Sequence, residues 1–204
     1  MTKVINQVEP AGFLVHLRPV IELTDDQLFE LCQINQDLWI ERTAEGDLVI
    51  MAPEGWETGR RSITLGTLLT QWAWQDGTGV TCGSSGGFIL PNGAMRAPDA
   101  AWVLRSRLTA FTAEQKQKFL PLCPDFVVEI RSPSDRLSSA QAKMQEYLDN
   151  GARLGWLIDP RSRQVYVYRA NQPVERLENP ATISGDPVLP GFILDLQKIW
   201  EPGF

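Results

Sequence analysis

Apolar positions along the chain follow two periods. In LTDDQLFELCQIN, Leu28, Leu31 and Cys32 recur at helical spacing behind Thr24, a residue type that caps helix N-termini, and acids fill the first turn. This pattern predicts a short amphipathic helix. Over residues 57–74, Leu65, Leu68, Leu69 and Trp72 form one stripe, which predicts a first long helix packed on a sheet, with Gly59 and Gly66 as weak points. A third stripe, Ala140, Met144, Tyr147 and Leu148, runs over 138–150, and Gly151 stands where a left-handed cap ends a helix.

Between these helices lie β-rich runs. LWIERTAEGDLVIMAP has two of them around AEGD, a hairpin over 38–51 that Pro53 ends. VTC and GGFIL are two short strands, PNG marks a turn, and RAPDAAWVL reads as a strand that Pro98 opens, with Asp99 just inside it. A small helix, TAEQKQKFL, leads through PLCP into DFVVEI, and GWLIDPRSRQVYVYRA is a hairpin around 160–163. The tail from Asn171 reads as an accessory strand and a short terminal helix. The order predicts an α/β fold, a central mixed sheet flanked by helices. With 204 residues, one domain is expected: a helix and hairpin extension over 1–53, a core over 54–170 and an accessory segment over 171–204.

Two strands carry an acid where the pattern asks for an apolar residue. In DFVVEIRSPSD the alternation puts Phe126, Val128 and Ile130 on a core face, and Val127, Glu129 and Arg131 on the other. Asp99 repeats the oddity in RAPDAAWVL. A buried carboxylate without a partner is costly, so each acid needs a cation, a set of donors or a metal.

Composition narrows the chemistry. The single histidine, His16, leaves no partner for Ser-His or Cys-His nucleophiles or for HExxH zinc sites, so an enzyme here would work with carboxylates, Lys, Arg and hydroxyls. Cys32, Cys82 and Cys123 lack CxxC spacing and read as small buried or half-buried hydrophobes. The net charge of -6 disfavours nucleic acid as a partner, but the acidic excess belongs to the first 53 residues, which hold nine acids and three bases. The remainder is near neutral and leaves room for a local basic surface. No stretch approaches the roughly 20 apolar residues of a membrane helix, and the amino terminus lacks a signal-like apolar segment. A cytoplasmic protein without a membrane partner is expected.

Pro98-Asp99 followed about thirty residues later by Glu129-x-Arg131 resembles the PD-(D/E)XK pattern of restriction endonuclease-like nucleases. The longer runs GWETG, LPNGAMRAPDAAWV, LCPDFVVEIRSPSD and KMQEYLDNGARLGWLIDP are similar to the Uma-type endonuclease family, over about 23–192. The resemblance implies a restriction endonuclease-like fold and an endonuclease that hydrolyses DNA phosphodiesters with Mg²⁺, or Mn²⁺, on Asp99 and Glu129. It implies an auxiliary metal acid at the start of the long helix, Glu57, with Glu54 the alternative. Arg131 stands where the superfamily usually has lysine; an arginine cannot act as a base but can hold a phosphate. Lys143, on the following helix, resembles a displaced catalytic lysine. Two active sites for two strands imply a homodimer. The same residues leave open a binding module of this fold without turnover, or a phosphohydrolase of small substrates.

Overall fold

The computed structural model describes residues 12–201. The stretch 1–11, where the absence of a leader was read, lies outside the described residues, as do the last three. In chain order the elements are β1 (Phe13–Val15), α1 (Asp25–Ile34), β2 (Trp39–Arg42), β3 (Leu48–Met51), α2 (Trp56–Asp76), β4 (Gly79–Gly83), β5 (Phe88–Ile89), β6 (Met95–Arg96) and β7 (Ala100–Leu104). There follow α3 (Arg105–Leu108), β8 (Phe126–Ile130), α4 (Leu137–Asp149), β9 (Leu154–Asp159), β10 (Gln164–Arg169), β11 (Glu175–Glu178), β12 (Thr182–Ser184), β13 (Ile193–Asp195) and α5 (Gln197–Trp200).

A six-stranded mixed sheet, ordered β11-β10-β9-β8-β7-β4, carries the main core. Only the β8–β9 pair is parallel, with α4 as its crossover, while the other pairs are antiparallel. Helix α2 lies on one face, where Leu65, Leu69 and Ala73 meet Trp102, Phe126, Val128 and Trp156. Helix α4 covers the other, where Met144 and Tyr147 meet Ala101, Val127 and Leu157. Both faces of β8 are therefore core, and its apolar side chains are at most 4% exposed. The expectation that only the Phe126 face would be core is corrected by α4: a central strand between two helical layers reads as a continuous apolar run rather than an alternating one. Each such side chain contributes about 1.5–3 kcal/mol on burial.

A smaller antiparallel sheet, β1-β3-β2-β6-β5, is built on the expected hairpin. Its core of Leu28, Ile40, Leu48 and Met95 ties α1 to the sheet. Thr24 starts α1 through a complete capping box with Gln27. β1, which pairs with β3, had no clear signal in the alternation. RAPDAAWVL does not form one strand: β6 belongs to the small sheet, and Asp99 sits in a bend before β7. Pro98, with no N–H to give a ladder, separates the two. TAEQKQKFL makes only a single 3₁₀ turn over Gln115–Gln117, since it has no apolar stripe to pack. The three cysteines are free; Cys123 is buried, Cys32 and Cys82 half-buried. Among the described residues no helix is long and apolar enough to cross a membrane.

Candidate active site

The β7–β8 register pairs Ala100 with Val128, and continuing it by one residue sets Asp99 opposite Glu129. Asp99 is fixed from two sides. The Ile130 N–H donates to its Oδ2 at 2.6 Å, and Ser62 Oγ of α2 lies 3.2 Å from its Oδ1. Asp99 is 9% exposed. Burial pushes its carboxyl up to about 6; the Ile130 N–H opposes this and the Glu54 carboxylate adds to it.

Glu129 is held from α4. Lys143 Nζ lies 2.9 Å from Glu129 Oε1, and the Tyr147 hydroxyl donates to the same oxygen at 3.0 Å. Residues 143 and 147 are one turn apart, so both face the sheet together. Burial pushes Glu129 up to about 7: the Lys143 ammonium lowers it, but Asp99 and Glu41 raise it. Lys143 is itself desolvated, which lowers its pKa, yet Glu129 and Glu41 outweigh that and hold it above the ordinary lysine range. It is charged throughout the physiological range. Its neighbour on the helix, Glu146, pairs with Arg96 at 2.6 Å instead.

The structure thus brings Asp99, Glu129 and Lys143 to one place from the bend before β7, from β8 and from α4. It does not bring Glu57. That side chain is 56% exposed and pairs with Arg61, one turn along α2, at 3.1 Å. The acid whose charge reaches the pair is Glu54, in the segment before α2. Its side chain remains on the surface, yet partial desolvation, Glu129 and Asp135 raise its carboxyl. Gly55 caps α2 without a side-chain bond, so Glu54 precedes the helix and can turn toward the strand ends. Arg131, expected to meet a phosphate beside Glu129, is otherwise engaged. Its Nη1 lies 2.7 Å from Asp159 Oδ2 and its Nε donates to the Asp135 carbonyl at 3.1 Å. It closes the loop after β8 onto the end of β9.

One participant was missed. Glu41 of β2 is 2% exposed, and its Oε1 lies 2.9 Å from Lys143 Nζ. The signal was present: in WIER an acid stands in a short apolar strand, the same oddity that singled out Glu129.

Among the described residues no three His, Cys, Asp or Glu side chains gather closely enough to hold a metal ion by themselves. Asp99 and Glu129 nonetheless fit one. Two carboxylates of like charge, both raised by burial and by other acids, suit a small divalent ion, and Mg²⁺ typically takes one or two carboxylates and completes its shell with water and phosphate.

A model of the Uma2 family, described as "Putative restriction endonuclease", matches residues 25–197. Among solved structures, a putative nuclease belonging to DUF820 from Anabaena variabilis aligns with a TM-score of 0.72, over 87% of this chain and 97% of that one. The identity is 18%, so the likeness is one of fold. No curated protein matches the chain. The mixed sheet between α2 and α4 is thus a nuclease fold of restriction endonuclease type. Matched from the first residue of α1 to that of α5, the chain belongs to the Uma2 family of putative restriction endonucleases.

Proposed function

We propose that this protein is a Mg²⁺-dependent endonuclease that hydrolyses DNA phosphodiesters at Asp99, Glu129 and Lys143, with Mn²⁺ as a substitute ion. The observation that carries the reading is the Lys143 ammonium, held 2.9 Å from Glu129 on the helix that follows the strand. It supplies beside the carboxylates the cation that Arg131, bound to Asp159, does not. A divalent ion, when bound there, supplies Lewis acidity toward a phosphate oxygen and an attacking water. Asp99 and Glu129 hold that ion as carboxylates. The Ile130 N–H keeps Asp99 oriented, and the Tyr147 hydroxyl does so for Glu129. Lys143 orients the nucleophilic water and opposes the charge that builds on phosphorus. Glu54, rather than Glu57, is the auxiliary acid. The protein works as a homodimer in the cytoplasm, one site for each strand of a duplex.

The test is nicking of supercoiled plasmid in Mg²⁺, Mn²⁺ or chelator. Asp99→Ala, Glu129→Ala and Lys143→Ala are expected to lose about 10²-fold or more in rate. Glu54→Gln is expected to lose more than Glu57→Gln, and light scattering should give a dimer mass. Nicking that survives Asp99→Ala or the chelator overturns the assignment. DNA binding without nicking in any metal would make the chain a binding module of this fold.

A further inference from the structure

The proposed reading uses Glu129 and Lys143 but leaves Glu41 without a role. Glu41 comes from β2, in the small sheet, and its side chain is 3% exposed. Its oxygens are fully engaged. Oε1 accepts from the Ala97 N–H at 3.0 Å and from Lys143, and Oε2 faces Arg96 Nη1 at 3.1 Å. Arg96 continues to Glu146 of α4. A file of alternating charges, Glu146, Arg96, Glu41, Lys143 and Glu129, therefore runs between two sheets and one helix. Buried ion networks seldom stabilise a fold more than apolar packing of the same volume would. This one ends at the carboxylate pair, which points to a task there.

Resting on the nuclease reading, we propose that Glu41 is a positioning residue that keeps the Lys143 ammonium at the site when a divalent cation takes Glu129. Lys143 Nζ is bonded equally to the two acids, at 2.9 Å each. A cation held by Asp99 and Glu129 would compete with the ammonium for Glu129. With Glu41 present, Lys143 would keep a full partner while Glu129 served the metal. Without it, Glu129 is the only remaining acid bonded to the ammonium among the described residues, and lysine and metal would contend for one carboxylate. The small sheet then contributes to the site through this one side chain.

The experiment is a cycle of Glu41→Gln, Lys143→Met and the double variant, read by Mn²⁺ titration and by plasmid nicking. Glutamine keeps the acceptor for the Ala97 N–H and removes only the charge. Glu41→Gln is expected to weaken Mn²⁺ binding about tenfold or more, the scale seen when groups behind metal ligands are lost. The double variant is expected to recover the Mn²⁺ affinity of Lys143→Met, and Glu41→Gln should not slow nicking further in that background. The double variant also guards against misfolding, since it leaves no lone buried charge between the two positions. An unchanged Mn²⁺ affinity in Glu41→Gln, or an equal loss with and without Lys143, overturns the proposal and leaves Glu41 structural. Wild-type protein that binds Mn²⁺ yet never nicks would refute the nuclease reading while the titrations still decide on Glu41. Wild-type protein that binds no Mn²⁺ overturns both.

Discussion

At the scale of single residues, the site is a place where carboxylates are made unwilling to ionise. Asp99 is moved from 3.8 to about 6 and Glu129 from 4.5 to about 7, burial being the largest cause for each. For an acid whose folded pKa lies above its unfolded value, the folded state holds its proton longer. Stability is therefore undiminished below the unfolded pKa and is lost as pH rises toward the folded one. For Asp99 the loss falls between about pH 4 and pH 6 and amounts to about 3 kcal/mol. Asp99→Asn keeps an acceptor for the Ile130 N–H and has no charge to bury. Its stability relative to wild type, measured by urea unfolding in chelator, is expected to rise by about 3 kcal/mol between about pH 4 and pH 7. A flat difference would mean that Asp99 ionises as an ordinary surface acid. With Mg²⁺ the order should reverse at neutral pH under the proposed function, in which the Asp99 carboxylate holds the ion. Asp99, Glu129 and Lys143 were legible in the sequence because each breaks a local pattern or lies beside an apolar stripe. Glu54 and Arg131 were not. Whether Glu54 or Glu57 faces the strand ends depends on where α2 begins, and Arg131 lies beyond the last residue of β8, where alternation no longer fixes direction.

At the scale of elements, the site depends on how closely helices and strands approach the central sheet. Gly79 opens β4, and a Cβ there would lie 2.2 Å from the Trp102 indole, which is fully buried on β7 three residues beyond Asp99. An indole packed against Trp72 of α2 within the main core cannot move aside cheaply. Gly79→Ala is expected to cost about 1–3 kcal/mol by overpacking, lowering the melting temperature by roughly 2–4 °C per kcal/mol. Gly59 and Gly66 behave oppositely. A Cβ at either meets nothing within 4 Å on the outer side of α2, so Ala there should stabilise by about 0.5–1 kcal/mol through helix propensity. Thermal unfolding of the three variants checks the signs; a harmless Gly79→Ala would mean that β4 adjusts away from Trp102. The long helices, the two hairpins and β8 followed from periodicity because each buries a regular stripe. The small sheet did not, since β5 and β6 have only two residues apiece and join β2 across more than forty residues of chain. That long-range pairing is also what carries Glu41 to the site, so the missed sheet and the missed residue have one cause.

At the scale of the whole molecule, the proposed function requires a chain of net charge -6 to approach a polyanion with Asp99, Glu129, Glu54 and Glu41 around one site. Lys143 and Arg96 offset two of those charges and are already bonded to the acids. Bare carboxylates facing a phosphate backbone repel it, whereas a divalent ion offsets the charge that remains. DNA affinity is therefore expected to depend on metal even where no bond is cut. Fluorescence anisotropy of a short labelled duplex should give a Kd at least about tenfold lower in Ca²⁺ than in chelator at neutral pH, the scale of one like-charge contact removed at low effective dielectric. The advantage should shrink toward pH 5, where Asp99 and Glu129 hold protons and neither repel the backbone nor bind the ion. The slope of log Kd against log salt reports how many cationic contacts the rest of the surface makes, about 0.9 for each phosphate neutralised. Equal affinity in Ca²⁺ and chelator would place the bound duplex away from Asp99 and Glu129. A surviving salt slope in that case would assign DNA binding to another face of the molecule and separate it from the carboxylate pair.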